Sequence, residues 1–237
     1  IASTSAGYAF SRGMADGTIG LDEMLAHIAE LVRATDLPVN ADFENGYADA
    51  PEGVAANVRK CVATGVAGIS IEDAAYRREN AIYELPLAIE RMRAAREAIG
   101  DSGVVLVGRA EGFLVGRESI EKVIERLRAY ADAGADCLYA PGIREVDAIR
   151  AVVEAVAPKP VNLLLSGPAS ITGSMTMTMA DVAALGVRRV SVGGALARAA
   201  WGGFVRAATE LATNGKFDGF AGAVSHAELQ KLFAKKD

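Results

Sequence analysis

Residues 42–47 read Asp-Phe-Glu-Asn-Gly-Tyr and directly follow the apolar segment 37–41, Leu-Pro-Val-Asn-Ala. The apolar segment predicts a buried strand that ends where the carboxylates begin, and the Asn-Gly pair predicts a turn away from it. Asp42 and Glu44 would therefore stand together at the exit of one strand. Two carboxylates so close repel each other unless they face water or share a cation. This stretch alone is consistent with either a solvated turn or a cation site.

The same pattern, an apolar strand that ends in charged residues, occurs twice more. Residues 69–73 read Ile-Ser-Ile-Glu-Asp, and the apolar segment from Val104 ends at Arg109, with Glu111 two positions later. In open or closed parallel sheets the carboxyl ends of the strands lie along one edge, where ligands bind. Three charged strand exits therefore favour a shared site over three unrelated turns.

Composition narrows the class of protein. The chain has 237 residues, 51% of them hydrophobic, and a net charge of −5, which suits a large α/β domain with a substantial core. Its charges form no acidic or basic block, so neither nucleic acid nor an anionic membrane is an expected partner. No apolar run reaches the roughly 20 residues that span a bilayer, and no signal-peptide pattern is present. Cys61 and Cys137 are expected to be buried thiols, and a cytoplasmic location is the default expectation.

Hydrophobic periodicity predicts strands that alternate with helices along the chain. Strands are predicted near residues 1, 40, 70, 106, 138, 163 and 191, and helices over 21–32, 52–64, 85–99, 120–131, 145–157, 178–185, 195–213 and 227–233. Ser225 and Glu228 form a capping-box pattern that opens the last helix. Two segments are predicted to be irregular: 8–20, and the polar segment 74–84, whose length is typical of an active-site lid.

Repeated βα units predict an α/β fold with a parallel sheet. A (β/α)8 TIM-type barrel is favoured, with its first βα unit expected upstream of Ile1, and a seven-stranded open sheet is the competing architecture. We expect one barrel domain over residues 1–237, with 214–237 as a C-terminal extension. In such barrels the chemistry lies at the carboxyl ends of the strands. Those ends carry Thr4, Ser5, Asp42, Glu44, Glu72, Asp73, Arg109, Glu111, Ser166 and Gly193.

The residue types at these ends suggest a particular chemistry. Several carboxylates without clustered His or Cys suit a hard cation such as Mg²⁺. Arg109 offers a planar, permanently charged donor for a substrate carboxylate or phosphonate, and the turn 4–7, Thr-Ser-Ala-Gly, offers backbone N–H groups to an anion. Together they describe a site for a small dianionic acid that develops an enolate. The alternative is that Arg109 and Glu111 only neutralise their neighbours at the barrel rim.

Several segments also carry a family likeness. In order and spacing the sequence resembles the isocitrate lyase/phosphoenolpyruvate mutase superfamily at 42–47, 70–73, 108–113, 134–136, 160–162 and 186–191. The resemblance implies a (β/α)8 barrel whose last helix is exchanged between paired subunits, usually in a homotetramer built as a dimer of dimers. The helix at 227–233 would then belong to the exchanged region.

The resemblance also implies residue roles. Asp42 matches the direct ligand of Mg²⁺, with Mn²⁺ as the alternative ion, while Glu44 and Glu72 match carboxylates that hold the metal through water. The implied catalytic residues are Arg109, Glu72 and Asp16. The implied substrate-binding residues are Thr4, Ser5 and Ala6, through backbone N–H groups, together with Arg109 and the strand-end residue Ser166.

The lid segment departs from the patterns of the superfamily. Methylisocitrate and isocitrate lyases carry Lys-Arg-Cys-Gly-His there and phosphonopyruvate-processing members carry Lys-x-Asn-Ser, whereas 74–84 has neither Cys nor His and only Arg77, Arg78 and Asn80 are comparable. The chain looks closer to phosphonomutase-like or oxaloacetate-decarboxylase-like members. We therefore expect an Mg²⁺-dependent lyase that cleaves a C–C bond of a small 2-oxo or 2-hydroxy dicarboxylate through an enolate. P–C chemistry on a phosphonate substrate, as a mutase or hydrolase, and a catalytically silent dicarboxylate-binding protein are the alternatives.

Overall fold

A computed structural model describes residues 1–75, 81–115, 118–167, 170–172 and 177–234. Its main strands are β1 (Asn40–Asp42), β2 (Gly68–Glu72), β5 (Val105–Arg109), β6 (Cys137–Tyr139), β7 (Val161–Leu164) and β8 (Arg189–Ser191), and a small hairpin is formed by β3 (Ala74–Ala75) and β4 (Ala81–Ile82). The six main strands are parallel and pair in the order β1-β2-β5-β6-β7-β8. The sheet therefore grows in chain order, as expected for successive βα units.

Helices connect the strands. They are α1 (Ser5–Ser11), α2 (Leu21–Arg33), α3 (Pro51–Val62), α4 (Leu85–Ile99), α5 (Ile120–Asp132), α6 (Val146–Val156), α7 (Met179–Ala184), α8 (Ala195–Asn214) and α9 (His226–Phe233). Within the described ranges, no helix combines the length and the apolar character needed to cross a membrane.

The core of residues 1–195 lies between the sheet and the inner faces of the helices α1 to α7. Every residue of β2 is buried, which is typical of a parallel strand covered on both faces. The helix α5 buries one stripe, Val123, Leu127 and Tyr130, at the spacing that brings side chains to one face of a helix. Gly108 in β5 allows this close packing, because a Cβ there would lie 3.1 Å from Tyr130 Cβ.

The parallel sheet is curled. Ala2 forms a parallel bridge with Asn40, so the opening residues extend the sheet beside β1, as the sequence predicts. From the opposite end of the sheet, Arg189 Nη1 on β8 donates to Asn40 Oδ1 over 3.4 Å. The first and last strands therefore approach each other, and the α/β class with a parallel, curled, barrel-like sheet is confirmed.

Two expectations about irregular segments were wrong in part. The turn expected at 4–7 and part of the segment 8–20 form the helix α1, which Thr4 caps by accepting from the Gly7 N–H over 3.3 Å. The described ends of 74–84 form an antiparallel hairpin in which Ala74 faces Ile82. Residues 76–80, which include Arg77, Arg78 and Asn80, lie outside the described residues.

The chain divides into two compact units, residues 1–195 and 196–237. The second unit contains most of α8, a 3₁₀ turn (Asp218–Phe220) and α9. The predicted capping box at the start of α9 is confirmed, with Ser225 and Glu228 bonded reciprocally. Large apolar side chains of this unit are exposed, among them Leu196, Phe204, Phe217, Leu232 and Phe233. The predicted division into one domain with an extension from 214 stays a prediction.

Candidate active site

Charged residues from the carboxyl ends of three strands meet around the guanidinium of Arg109. Its Nη1 lies 2.7 Å from Asp42 Oδ1, and its Nη2 lies 2.8 Å from Glu72 Oε2 and 2.8 Å from Glu111 Oε1. The strands β1, β2 and β5 are neighbours in the sheet, and their register places Glu72 opposite Arg109. The three charged exits identified in the sequence thus form one cluster.

Burial makes the charges of this cluster strongly interdependent. The side chains of Glu72 and Glu111 are almost fully buried, at 0% and 2% exposure, and that of Arg109 is 11% exposed. Burial alone would lower the pKa of Arg109, but Glu111, Glu72 and Asp42 together raise it well above its usual range. Burial likewise raises the pKa of Glu111 to about 7, against the opposing effect of Arg109. Arg109 therefore remains a cation, and its charge stabilises the surrounding carboxylates.

Asp42 is held from both sides. Its Oδ2 accepts hydrogen bonds from the backbone N–H and from the hydroxyl of Ser5, each over 3.0 Å, while Oδ1 faces Arg109. The Asp42 N–H donates to Ser3 Oγ over 2.8 Å. The Ser5 N–H expected to bind a substrate anion is thus directed at Asp42 in this structure. The substrate-binding roles of Thr4, Ser5 and Ala6 stay predictions.

Glu44 lies in the turn after β1, beside Asp42. It is buried, and its pKa is raised to about 7 by burial first and by the nearby Asp42 second. Glu44 Oε1 and the hydroxyl of Tyr47 are buried, and neither forms a regular hydrogen bond with any described residue, although the two groups are near enough to affect each other's pKa. A buried carboxylate oxygen without a partner is costly, so Glu44 has an unused ligand atom at the site.

Asp16 also lies within the electrostatic reach of this cluster. Its pKa is raised by desolvation and by Asp42, and lowered by Arg109. The segment that carries Asp16, between α1 and α2, therefore approaches the same strand ends. The catalytic role expected of Asp16 stays a prediction.

Asp73 binds the backbone of Glu111, one of the residues of the cluster. It follows Glu72 at the end of β2, is buried, and accepts from the Glu111 N–H over 2.8 Å. Its other oxygen accepts from the hydroxyl of Tyr130 on α5 and from Arg126. Because successive residues of a strand point to opposite sides, Glu72 faces Arg109 while Asp73 anchors the backbone of Glu111.

The oxygen atoms of this cluster are of the type that binds a divalent cation. Asp42, Glu44 and Glu72 supply the carboxylate oxygens that Mg²⁺ prefers, and Glu44 Oε1 is buried without a hydrogen-bond partner among the described residues. In the described part of the chain, however, no three His, Cys, Asp or Glu side chains are arranged as a preformed metal centre. The Arg109 guanidinium forms ion pairs with both Asp42 and Glu72. A cation would have to displace or reorient one of these ion pairs.

Two further side chains, on β6 and β7, had no predicted role, although the segment 160–162 carries part of the family likeness. Asn162 on β7 is buried with Oδ1 lacking a described partner, while its Nδ2 donates to Ser191 Oγ over 3.0 Å. The Tyr139 ring on β6 lies 5.3 Å from Arg109 Cζ. The sequence signal that could have identified Asn162 is a polar residue inside an otherwise apolar strand. Ser166 follows β7, where its N–H donates to Ser170 Oγ over 2.8 Å, and its substrate-binding role stays a prediction.

Comparison with known proteins identifies the family. The chain matches the family model described as phosphoenolpyruvate phosphomutase over residues 1–212, and it therefore belongs to this family, within the isocitrate lyase/phosphoenolpyruvate mutase superfamily.

Named relatives cover several activities. Over 163 residues the chain is 30% identical to 2-methylisocitrate lyase of Escherichia coli, covering 63% of this chain and 54% of the relative. Over 161 residues it is 35% identical to oxaloacetate decarboxylase of Rhodopseudomonas palustris, covering 63% and 52%. The chain thus spans about half the length of these curated relatives. A crystal structure from Burkholderia cenocepacia J2315, provisionally described as a lyase/mutase, superposes with a TM-score of 0.92 at 47% identity, covering 100% of this chain and 84% of that one.

Proposed function

We propose that the cluster around Arg109 is the active site of an Mg²⁺-dependent lyase that cleaves a C–C bond of a small 2-oxo or 2-hydroxy dicarboxylate. The observation that carries this proposal is the arrangement of Asp42, Glu72 and Glu111 around one buried guanidinium at the carboxyl ends of adjacent strands. In parallel α/β folds this edge is where ligands bind. The 2-methylisocitrate lyase and oxaloacetate decarboxylase relatives support the reaction class.

Asp42, with Glu44 and Glu72, would hold the divalent cation. When bound, the cation supplies Lewis-acid stabilisation for the negative charge that develops on the substrate oxygen. Mn²⁺ offers a similar preference for oxygen ligands. Ser5 orients Asp42 through two hydrogen bonds, so the carboxylate is fixed before substrate arrives.

Arg109 would bind and orient the substrate near its reacting end. Its guanidinium carries a permanent charge and can form two parallel bonds to a carboxylate. Its ion pairs with Glu72 and Glu111 hold the planar group in one orientation. Binding an anionic substrate there would compete with Asp42 for Nη1, and this exchange would release the Asp42 oxygen for the cation.

Decarboxylation of oxaloacetate is the reaction that best suits the lid segment. Bond cleavage in a decarboxylation needs no protein acid, and water can supply the proton to the product enolate. The sequence of 74–84 contains neither Cys nor His, so the lid offers none of the proton donors of the methylisocitrate lyase pattern. Cleavage of a 2-hydroxy dicarboxylate remains within the same reaction class.

A second candidate function is P–C bond chemistry on phosphonopyruvate. The match to the phosphoenolpyruvate phosphomutase family model favours it. The same Arg109 that would bind a carboxylate suits a phosphonate group, because each group has two oxygens that can accept parallel N–H···O bonds from a guanidinium.

We further propose that the curled sheet is part of a (β/α)8 barrel in a cytoplasmic homotetramer, with the α9 region exchanged between subunits. The exposed apolar side chains of residues 196–237 support such an assembly, since large exposed apolar patches mark interaction surfaces. Light scattering behind size exclusion tests it: a tetramer supports the assembly, and a monomer at micromolar concentration contradicts it.

A substrate panel tests the reaction class. Oxaloacetate, 2-methylisocitrate and phosphonopyruvate would be incubated with the protein in Mg²⁺ and in EDTA, and the products followed by NMR. Pyruvate from oxaloacetate above the rate of Mg²⁺ alone supports the first candidate, and turnover of phosphonopyruvate above that of oxaloacetate favours the second. Binding of oxalate with no turnover of any substrate would contradict both and indicate a dicarboxylate-binding protein.

A further inference from the structure

A buried arginine outside the cluster holds the loop that carries Glu44. Arg91 lies in the middle of α4 and is 1% exposed. It donates to the backbone carbonyls of Asn45, Ala48 and Asp49. Among the described residues it forms no ion pair with a carboxylate at salt-bridge distance. Its Cζ also lies 4.0 Å from the centroid of the Tyr83 ring. The hydrogen bonds described for this buried guanidinium all go to one loop, residues 44–49.

A second buried donor acts on the same loop from α3. Asn57 Nδ2 donates to Gly46 O over 2.9 Å and to Tyr47 O over 3.3 Å. Together, Arg91 and Asn57 bind the carbonyl groups of five loop residues, Asn45 to Asp49. We call these two side chains the loop clamp.

The loop needs such a clamp because its backbone is strained. Glu44 and Tyr47 adopt left-handed conformations with φ of 46° and 56°, and Gly46 between them has φ of 76°. A non-glycine residue in this region costs on the order of 1–3 kcal/mol and persists only where the surroundings enforce it. Without the clamp, the loop would relax toward ordinary turn geometry.

The position of the loop also determines the position of the neighbouring carboxylate. The carbonyl of Glu44 accepts a hydrogen bond from the Glu72 N–H over 3.0 Å. A shift of residues 44–49 would therefore move the Glu44 side chain directly and the end of β2 indirectly. Two of the three carboxylates assigned to the cation site depend on one strained turn.

We propose that Arg91, together with Asn57, is a positioning residue that sets the affinity of the cation site by fixing the conformation of residues 44–49. The inference rests on the proposed function, since it assumes that Asp42, Glu44 and Glu72 hold a divalent cation. Lysine cannot replace Arg91 in this role, because a single ammonium group cannot span three carbonyls as the guanidinium fork does.

The test measures Mn²⁺ affinity by calorimetry with saturating oxalate present, because an anion on Arg109 would free the Asp42 oxygen for the cation. Arg91→Lys keeps the charge and removes the fork, and Asn57→Ala removes the second donor. Arg96→Lys is the matched control, since Arg96 lies on the same helix but pairs with Asp136 outside the cluster. Partners that orient metal ligands typically contribute 10–100-fold to affinity. We expect the Mn²⁺ dissociation constant to be roughly 10-fold higher, or more, for Arg91→Lys and for Asn57→Ala. We expect it to be unchanged for Arg96→Lys.

The possible results distinguish failure of the proposed cation site from failure of the positioning role of the loop clamp. If the parent protein binds no Mn²⁺, the proposed cation site is refuted, and so is the proposed effect of Arg91 and Asn57 on its affinity. If the parent binds Mn²⁺ and both clamp variants bind it equally well while unfolding at lower temperature, Arg91 and Asn57 are only structural and the clamp alone is refuted. If Arg91→Lys does not fold, Asn57→Ala decides, because it removes one amide and leaves the charged core intact.

Discussion

Replacing Glu44 by Gln should stabilise the metal-free protein near neutral pH. The Glu44 carboxyl is buried beside Asp42, and its Oε1 lacks a regular hydrogen bond with any described residue. Burial and Asp42 raise its pKa to about 7. Near pH 8 the folded protein must therefore hold an unfavourable negative charge there, whereas a Gln side chain of the same shape carries none.

The magnitude follows from the difference in pKa between the folded and unfolded states. The ordinary pKa of the group is 4.5 and its folded pKa is about 7, and each unit corresponds to about 1.4 kcal/mol. An acid with a raised folded pKa keeps its proton longer in the folded state, so stability is lost as pH rises from about 4.5 to about 7. Glu44→Gln should thus gain roughly 3 kcal/mol at pH 8 and little at pH 4.5, a shift of about 6–12 °C in Tm at pH 8.

Thermal unfolding followed by circular dichroism in EDTA, at pH 4.5 and pH 8, measures this effect. Glu97→Gln, on the exposed face of α4, is the control that changes the same charge without burial. Adding Mg²⁺ should stabilise the parent protein more than Glu44→Gln, because the variant has lost a ligand. A Glu44→Gln variant that is no more stable than the parent at pH 8, or that gains equally at both pH values, would show that the Glu44 charge does not destabilise the folded protein.

Three further predictions concern the buried polar groups. Arg109→Met leaves the carboxylates of Asp42, Glu72 and Glu111 without the guanidinium that pairs with them, so it should cost about 3–5 kcal/mol of unfolding free energy in urea titrations. A loss below about 1 kcal/mol would contradict the formation of these ion pairs. Tyr130→Phe removes the hydroxyl that donates to buried Asp73 and should cost about 1–3 kcal/mol, measured in the same way; an unchanged midpoint would mean that this bond is not formed. Burial raises the pKa of Cys61 to about 12 and also raises that of Cys137, so DTNB should label neither thiol until the protein unfolds, and rapid labelling of the native protein would contradict their burial.

The helices and strands with strong periodicity were predictable from local sequence. The helix expected over 85–99 has the observed bounds Leu85–Ile99, and the charged exits of β1, β2 and β5 meet as the parallel-strand argument requires. Local rules suffice here because burial of an apolar stripe or strand determines each element separately.

The parts that the sequence did not reveal depend on contacts between distant residues. The helix α1 has only seven residues and contains a glycine, and its cap, Thr4, is recognisable only once the strand before it is placed. Arg91 resembles any other charged residue of an Arg-rich helix, because its partners lie more than 40 positions away. Likewise, the ion pair between Arg109 and Asp42 joins residues 67 positions apart. Periodicity gives the faces of helices and strands, whereas such pairings depend on the tertiary fold.

Mg²⁺-dependent release of pyruvate from oxaloacetate, measured for the parent protein and for Asp42→Ala, tests the proposed cation site and its lyase reaction most directly. Coupling to lactate dehydrogenase follows pyruvate, and the rate with Mg²⁺ alone is subtracted. We expect turnover by the parent protein, its loss in EDTA, and a drop to background in Asp42→Ala, with the variant still folded by circular dichroism. Full activity in Asp42→Ala, or activity that survives EDTA, would contradict the assignment of this strand exit as the cation site of a lyase.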